Sequence, residues 1–505
     1  MGLRQVTLGD IFRRNAQLFP DRTAIVCGFE RITHADYLNR AERLAAGLAA
    51  QGVKPGDRVA VVARNCLEFA DLYGATALIG AIMLPVNWRL NADELAYVLA
   101  DGVPTLAIVG PEDQPRVAGM QEKLPASAKY FGIRSAAAPF RPFAELAGAG
   151  ASLPPVEVDP DQGYVIIHTA AVDGRPRGAL MSQSGLIATS MQLASAWQLD
   201  ERDVSLVAVP LFHVTGLGQM LTAQLSGGSS VIMAKFDPAE CAQAIEAEKA
   251  TAFAEFAPML MNLLDKAAET KASLSSLRAV LGLDTAETIG RFEKTCPDAR
   301  FWAAYGQSET SGLVTLSRWR ERPGSAGRPT PLNVIALVDE LDLPVATGEV
   351  GEIVVRGPSV FCGYWRREED NKMTFRNGWH HTGDMGRFDA EGYLIYAGRS
   401  PAKELIKPGG ENVYPAEVER VIREHAAIAE VSVIGVSDPR WGEAVKAVCV
   451  CRPGKSVLAS DLAEFVASKL ARYKKPQHVV FVDALPKTPA GAIDRTAVKR
   501  MHGGM

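Results

Sequence analysis

Short runs of β-branched and apolar residues recur along most of the chain, and the majority are followed by a longer stretch with helical spacing. Arg58–Ala63 (RVAVVA), Thr105–Val109 (TLAIV), Tyr164–His168 (YVIIH), Ser205–Val209 (SLVAV) and Ser230–Ala234 (SVIMA) are the clearest. Runs this short and this continuously apolar read as strands buried on both faces. Their alternation with helix-like segments predicts an α/β fold, with a large N-terminal domain of helix-covered β-sheets. At 505 residues, 47% of them hydrophobic, the chain can build more than one large core.

A boundary is expected near Gly398–Pro401, with a large domain over residues 1–398 and a small, mobile α+β domain on a hinge over residues 399–505. The second unit has its own expected helices, Ala416–His425 and Ser460–Leu470, and its own strands, Val431–Val436 and Val445–Cys451. Ser135–Pro155, rich in Ala, Pro and Gly, reads as a surface excursion. The most apolar helix-like run, Ala75–Val86, is interrupted by Pro85 and too short to span a bilayer, so it reads as a buried core helix.

Charge and cysteine usage narrow the partners. A net charge of −4 argues against general affinity for nucleic acid or for anionic membranes, which reward a basic surface. The seven cysteines are scattered and never spaced as C-x-x-C, which points away from a disulfide framework or a zinc site and towards a reducing compartment, the cytoplasm. No signal-peptide core stands at the start, and Val6 sits where a myristoylation motif needs Ser or Thr. No stable membrane insertion is expected, and a homodimer is left open.

Four polar clusters carry the chemical content. Trp379–Glu419 strings together Thr382-Gly383-Asp384, Gly398-Arg399, the segment Lys403-Glu404-Leu405-Ile406-Lys407 and the turn Gly409-Gly410-Glu411-Asn412. A carboxylate on a tight turn, such as Asp384, suits bidentate hydrogen bonding to a vicinal diol, and paired glycines allow another molecule to approach the backbone closely. Ala304–Thr310 reads AYGQSET, in which Glu309 is a hard oxygen ligand of the kind Mg²⁺ takes. Ile167–Gly178 reads IHTAAVDGRPRG, a Gly-bearing loop after an apolar strand, where backbone N–H groups can form an anion-binding nest. Last, Leu485–Arg495 reads LPKTPAGAIDR.

Taken in this order, the clusters resemble the adenylate-forming superfamily of acyl-CoA synthetases, peptide synthetase adenylation domains and luciferases, and most of all the acyl-CoA synthetases. The resemblance runs from LGDIFRRNAQLFPDRTAIV through WGEAVKAVCV to the last cluster. It implies an ATP-dependent carboxylic acid:CoA ligase that forms an acyl-adenylate and then a thioester, with ATP, Mg²⁺, coenzyme A and a fatty or aryl acid as its small-molecule partners. On this resemblance Thr169, Gly174, Arg177 and Gly178 belong to the phosphate loop, with Arg177 in place of the usual Lys. Tyr305 stacks on adenine, Gly282 of LGLDTA lies beside it, Ser308 bonds the α-phosphate and Glu309 holds Mg²⁺. Asp384 takes the ribose hydroxyls with Arg399 close by. Lys407, Gly409 and Gly410 serve the nucleotide and the pantetheine arm, and Lys403 marks the hinge. His213, in VPLFHVTGLG, gates the carboxylate pocket, which Val214, Thr215 and Gly216 line.

Two departures from the family pattern stand out. Ala170, Ala171, Val172 and Asp173 replace a hydroxyl-and-glycine stretch of the phosphate loop, and a carboxylate about 5 Å from a phosphate is repelled by roughly 3 kcal/mol at an effective dielectric near 20. Ala492 occupies the position of the adenylation lysine, with Lys487 as a weaker substitute donor. Losing a donor aimed at transition-state charge costs about 10² to 10³ in rate, so adenylation is expected to be impaired. Either a single Lys→Ala change or drift towards a non-catalytic paralogue accounts for the alanine. CoA is favoured over a carrier-protein thiol because little chain follows Arg495. A carrier-loading adenylation enzyme and a nucleotide-binding paralogue remain as alternatives.

Overall fold

The computed structural model describes residues 5–125, 128–147, 153, 156–169, 175–399, 405–409, 411–439, 441–487 and 493–503. The apolar runs named above form strands close to the expected places: Arg58–Val62, Leu106–Val109, Gly163–Thr169, Val204–Val207 and Ser229–Ile232. The last two lie in a nine-stranded sheet whose central strands Arg300–Tyr305, Ala279–Leu281, Ala252–Ala254, Val204–Val207 and Ser229–Ile232 are mutually parallel. The first three lie in an eight-stranded sheet. Parallel pairing requires crossover connections, and helices such as Val214–Ser226 and Met259–Thr270 supply them. One continuous core of Leu44, Phe69, Tyr73, Val165, Met181 and Leu217 lies between helices and both sheets. The architecture is therefore α/β, a large N-terminal domain of helix-covered sheets followed by a smaller C-terminal domain.

Two expectations are corrected. Ala75–Val86 is not one helix: the helix Leu67–Ile79 stops at Gly80, which adopts φ +66°, and Ile82–Val86 continues as a fully buried strand. Glycine tolerates that left-handed cap, and Pro85 lacks the N–H a helix interior would use. Ser135–Pro155 is not purely a surface excursion. Its described part includes the strand Arg141–Pro142 and the helix Ala144–Ala147, and Phe140 and Leu146 are buried. Leu146 packs so closely on the helix His34–Ala50 that a Cβ on Gly47 would stand 1.6 Å from its carbonyl oxygen.

A third, five-stranded sheet is built from Val334–Val338, Gly351–Arg356, Phe375–Arg376, Trp379–Phe388 and Leu394–Arg399. Beyond it, Ile428–Asp438, Gly442–Cys451 and His478–Phe481 form a three-stranded sheet, covered by the helices Pro415–Arg423, Ala459–Lys469 and Arg495–His502. Among the described residues no helix is long and apolar enough to cross a membrane.

The two domains meet through a buried charge triad. Lys474 Nζ donates to Glu94 Oε1 at 2.6 Å and to Glu417 Oε1 at 2.8 Å, and all three side chains are under 9% exposed. Glu94 belongs to the N-terminal helix Ala92–Gly102, whose first turn it also caps, and it accepts from the Ala471 N–H at 3.0 Å. Burial by itself would strip the proton from Lys474, but Tyr473 and the two carboxylates raise its pKa, so the ammonium stays charged. Removing the shared partner leaves two carboxylates buried without a cation. Lys474→Met should therefore cost about 3–5 kcal/mol of stability, read as a lower urea midpoint; an unchanged midpoint would show that the triad contributes nothing.

Candidate active site

The parallel strands Val204–Val207, Ala252–Ala254, Ala279–Leu281 and Arg300–Tyr305 end on a common rim. Phe212–His213, Glu255–Met259, Gly282–Thr285 and Tyr305–Thr310 leave those strand ends in turn. Ligands of parallel sheets bind outside the carboxyl ends of the strands. The five-stranded sheet and the C-terminal domain close over part of this rim.

Asp384 is the most densely bonded group there, at 2% exposure. Its Oδ2 accepts from the Tyr305 hydroxyl at 2.8 Å and from Gln307 Nε2. Its Oδ1 lies 3.0 Å from Arg399 Nε and 3.4 Å from the Tyr396 hydroxyl. Tyr305 and Tyr396 stack with centroids 6.0 Å apart. A bulge in the strand Trp379–Phe388 aims the carboxylate: Gly383 takes φ +69° and donates its N–H to Glu352 Oε1 at 2.8 Å. His381 Nδ1 contacts the other oxygen of Glu352 at 2.9 Å, and Thr382 Oγ1 donates to the Ile353 carbonyl at 2.6 Å. Burial would lower the Arg399 pKa, but Asp384 and the hydroxyls of Tyr414 and Tyr396 raise it.

Glu309 lies on the short 3₁₀ turn Ser308–Thr310, and Ser308 is half-buried beside it. Its Oε1 accepts from Thr169 Oγ1 at 3.0 Å and from the Tyr364 hydroxyl at 2.9 Å. Among the described residues its second oxygen has no hydrogen bond, which fits a carboxylate able to take a hard cation. Arg177 packs over the Tyr364 ring at 4.1 Å and lies 3.2 Å from Asp370. With Arg175, Arg367 and Asp370 it lines a cavity of about 250 Å³. Gly178 pairs with His168 across the hairpin, where a Cβ would stand 2.5 Å from Ile166. Gly174 and the substituted stretch 170–173 lie outside the described residues.

His213 precedes the helix Val214–Ser226, with its ring 4.5 Å from that of Phe212. From the C-terminal domain Glu411 reaches into the same place. It pairs with Arg89, accepts from Asn87 Nδ2 at 3.2 Å and stands 3.6 Å from His213 Nε2. Burial and the Arg89 charge push the His213 pKa down to about 3. Val214 and Thr215 are half-buried, and Gly216 is buried where a Cβ would meet the Pro210 carbonyl oxygen at 2.3 Å.

Gly409 takes φ +57° beside the Trp441 ring and donates its N–H to the Trp441 carbonyl at 2.9 Å. Lys407 is exposed at the seam, yet its surroundings and the Arg399 charge hold its pKa below the ordinary lysine value. Lys403, Gly410 and Ala492 lie outside the described residues. Lys487 pairs with Glu430 at 2.6 Å. Gly282 adjoins Glu255, whose Oε1 would lie 2.0 Å from a Cβ on the glycine.

The sequence pattern described as AMP-binding enzyme matches residues 12–365, and that of the AMP-binding enzyme C-terminal domain matches residues 417–492. The chain belongs to the AMP-binding enzyme family. A feruloyl-CoA synthase of Amycolatopsis is 35% identical over 99% of this chain and 100% of its own length. An indoleacetate–CoA ligase of Aromatoleum aromaticum is 34% identical over 98% of both chains. The crystal structure of a Rhodopseudomonas palustris protein, assigned provisionally as a long-chain-fatty-acid CoA ligase, is 57% identical. It covers 79% of this chain and 100% of its own, with a TM-score of 0.76.

In this AMP-binding enzyme the structure brings together Thr169, Glu309 and Ser308 at one end of the rim and Tyr305, Asp384 and Arg399 beside them. His213 is gathered with Glu411 at the other. Gln307 and Tyr396 lie within the motifs described above without a role assigned from the sequence, and Tyr364 lies outside those motifs. Nor did the sequence assign a role to Asn87, Arg89 and Glu411, whose pairing spans more than three hundred residues and leaves no local signal. A histidine whose folded pKa lies below its unfolded value of about 6.5 stays neutral while the unfolded chain takes up a proton. Stability is therefore lost as pH falls below that value. NMR of His213 should show a neutral imidazole from pH 8 to pH 5; titration near 6.5 would contradict the half-buried, Arg89-flanked environment.

Proposed function

We propose that the chain is an ATP-dependent carboxylic acid:CoA ligase, AMP-forming, acting on an aryl or fatty acid. The observation that carries the reading is the shared rim: a carboxylate with an open oxygen at Glu309 and an imidazole at His213 follow two strand ends of the parallel sheet, and a carboxylate knot at Asp384, reaching over from the five-stranded sheet, joins them through Tyr305. The names of the relatives, an aryl-CoA synthase, an aryl-acetate ligase and a fatty-acid ligase, support the same reaction on the same two classes of acid.

In this reading ATP binds with its adenine against Tyr305 and Gly282. Its ribose hydroxyls reach Asp384 by exchanging for the Gln307 and Tyr396 contacts, while Arg399 stays paired with the carboxylate. Thr169, Arg177, Gly178 and Gly174 face the phosphates, Ser308 bonds the α-phosphate, and Mg²⁺ held by Glu309 would neutralise phosphate charge. A carboxylate oxygen of the acid attacks the α-phosphorus, and pyrophosphate leaves with the bonding pair of the P–O bond. A CoA thiol, delivered past Gly409 and Gly410 with Lys407 nearby, then attacks the acyl carbon and AMP departs. His213, Val214, Thr215 and Gly216 border the acid, and a neutral His213 adds no charge to repel or trap the carboxylate. The C-terminal unit, hinged at Lys403 after a domain boundary at residue 398, swings between the two steps. We infer a cytoplasmic setting, in keeping with seven free cysteines.

Ala492 leaves the adenylation step without its cation. Acid-dependent pyrophosphate release at saturating ATP, Mg²⁺ and CoA should rise by about 10² to 10³ in Ala492→Lys, on aryl acids, on fatty acids or on both. If neither form releases pyrophosphate with any acid while AMP still binds, the non-catalytic reading replaces this one. Asp384→Asn removes the charge that Arg399 and the diol share, and AMP affinity should fall by about tenfold to a hundredfold in calorimetry. Undiminished affinity would remove Asp384 from the nucleotide site.

A further inference from the structure

One ionisable group on the rim has no part in the chemistry above. Glu255 follows the strand Ala252–Ala254, and the register pairs Phe253 with Leu206 on one side and Ala254 with Leu281 on the other. One step on, Glu255 therefore stands between Ala208 and Gly282, on the strand next to the one that leads to His213. It is 1% exposed, and among the described residues neither carboxyl oxygen has a hydrogen-bond partner. Asp284, two residues past Gly282, also leaves Oδ2 buried without one. The N–H groups of Leu260 and Leu283 lie near enough to favour the anion, but burial and the Asp284 charge outweigh them and raise the Glu255 pKa well above the carboxylate range. Only a glycine at 282 makes room, since a Cβ there would overlap Glu255 Oε1.

Protein interiors rarely keep a carboxyl in this state, and an unsatisfied one calls for a partner that the chain itself does not supply. Of the elements read above as facing the nucleotide, Gly282 adjoins Glu255 through its backbone, while Tyr305 and Asp384 cluster around the strand Arg300–Tyr305, two strands away; on the other side, His213 leads off the strand adjacent to Glu255. A neutral carboxyl offers one acceptor and one donor, so it pairs with a hydroxyl or an N–H without burying a charge.

We propose that Glu255 is a specificity-determining residue for the acyl group, and that the acid this site takes carries a hydrogen-bond-donating hydroxyl or ring N–H towards its far end. The inference rests on the ligase reading and sharpens its substrate class. A site built around a buried polar partner discriminates strongly against analogues lacking that group, because the partner is then left unpaired. An apolar pocket gives no such penalty.

The test compares kcat/KM for cinnamic acid, 4-hydroxycinnamic acid and decanoic acid, by CoA-thioester formation, in the parent chain and in Glu255→Leu and Glu255→Gln. Each form is assayed with Ala492 and with Ala492→Lys. The parent should favour 4-hydroxycinnamic over cinnamic acid by about 10² or more. Glu255→Leu should shrink that ratio to within about threefold, and Glu255→Gln should keep an intermediate ratio, since an amide still bonds a hydroxyl. A merely structural role would not move the ratio. Folding is not expected to confuse the result, because Glu255→Leu removes an unpaired buried carboxyl and should melt at or above the parent temperature. Equal ratios in parent and Glu255→Leu would overturn the proposal, as would a Glu255→Leu effect on AMP affinity with the ratio intact. Thioester from decanoic acid alone overturns it while leaving the ligase reading standing, and thioester from none of the acids in any form overturns both.

Discussion

A single buried carboxylate, Asp384, ties three parts of the protein together. Tyr305 and Gln307 reach it from the nine-stranded sheet, it stands on the five-stranded sheet, and Arg399 connects it to Tyr414 at the start of the C-terminal unit. Such a group is tolerable only when its lone pairs are met and a cation stands opposite. Every neighbour does one of these jobs, so the positions of Tyr305, Tyr396 and Arg399 follow from the need to hold one charge. This end of the rim is thus held in place by the protein's own donors, and in the ligase reading a vicinal diol entering it exchanges one set of donors for another.

The C-terminal domain is held by a different balance. The Lys474 triad and the pairing of Glu411 with Arg89 and Asn87 cross the seam, and both place formal charges where water is largely excluded. Buried pairs of this kind return little net stability relative to apolar contact, because desolvation offsets the attraction, yet breaking one partner is costly. They therefore favour one docked arrangement strongly over slightly shifted ones. In the ligase reading, where the C-terminal unit swings between two steps, withdrawing Glu411 and Lys474 into water would recover their hydration and offset part of the cost of leaving the docked arrangement.

Much of this was legible in the chain. Continuous apolar runs mark parallel strands because such strands are buried on both faces, and Arg58–Val62 and Leu106–Val109 fall where the runs are. Thr169, Glu309, Tyr305, Asp384 and Arg399 were singled out by resemblance to family motifs that follow one another in a fixed order, and the structure brings them near one another. Gln307 and Tyr364 were not singled out, since glutamine and tyrosine at those places carry no pattern until tertiary contact gives them a partner. The misread run Ala75–Val86 has the same origin: hydrophobicity alone cannot separate a buried helix from a buried strand, and Gly80 and Pro85 were the local signs of the break.

Charge is distributed unevenly along the rim, and that distribution orders the chemistry. Arg175, Arg177 and Arg367 gather around the cavity at the phosphate end, with Asp370 as the acidic group lining it. At the other end burial acts against both charged forms, lowering the His213 pKa to about 3 and raising that of Glu255. In the ligase reading, a polyanion is drawn to the first end and an acyl group with little formal charge settles at the second. The arginines also bear on the altered phosphate loop. Hydroxyls lost at positions 170–173 were neutral donors, whereas guanidinium groups are charged and bond phosphate oxygens in pairs. Fixed positive charge can therefore stand in for missing hydroxyls in holding a leaving pyrophosphate. In the same reading it does not replace the lysine absent at 492, whose cation the family resemblance assigns to the α-phosphorus rather than to the pyrophosphate.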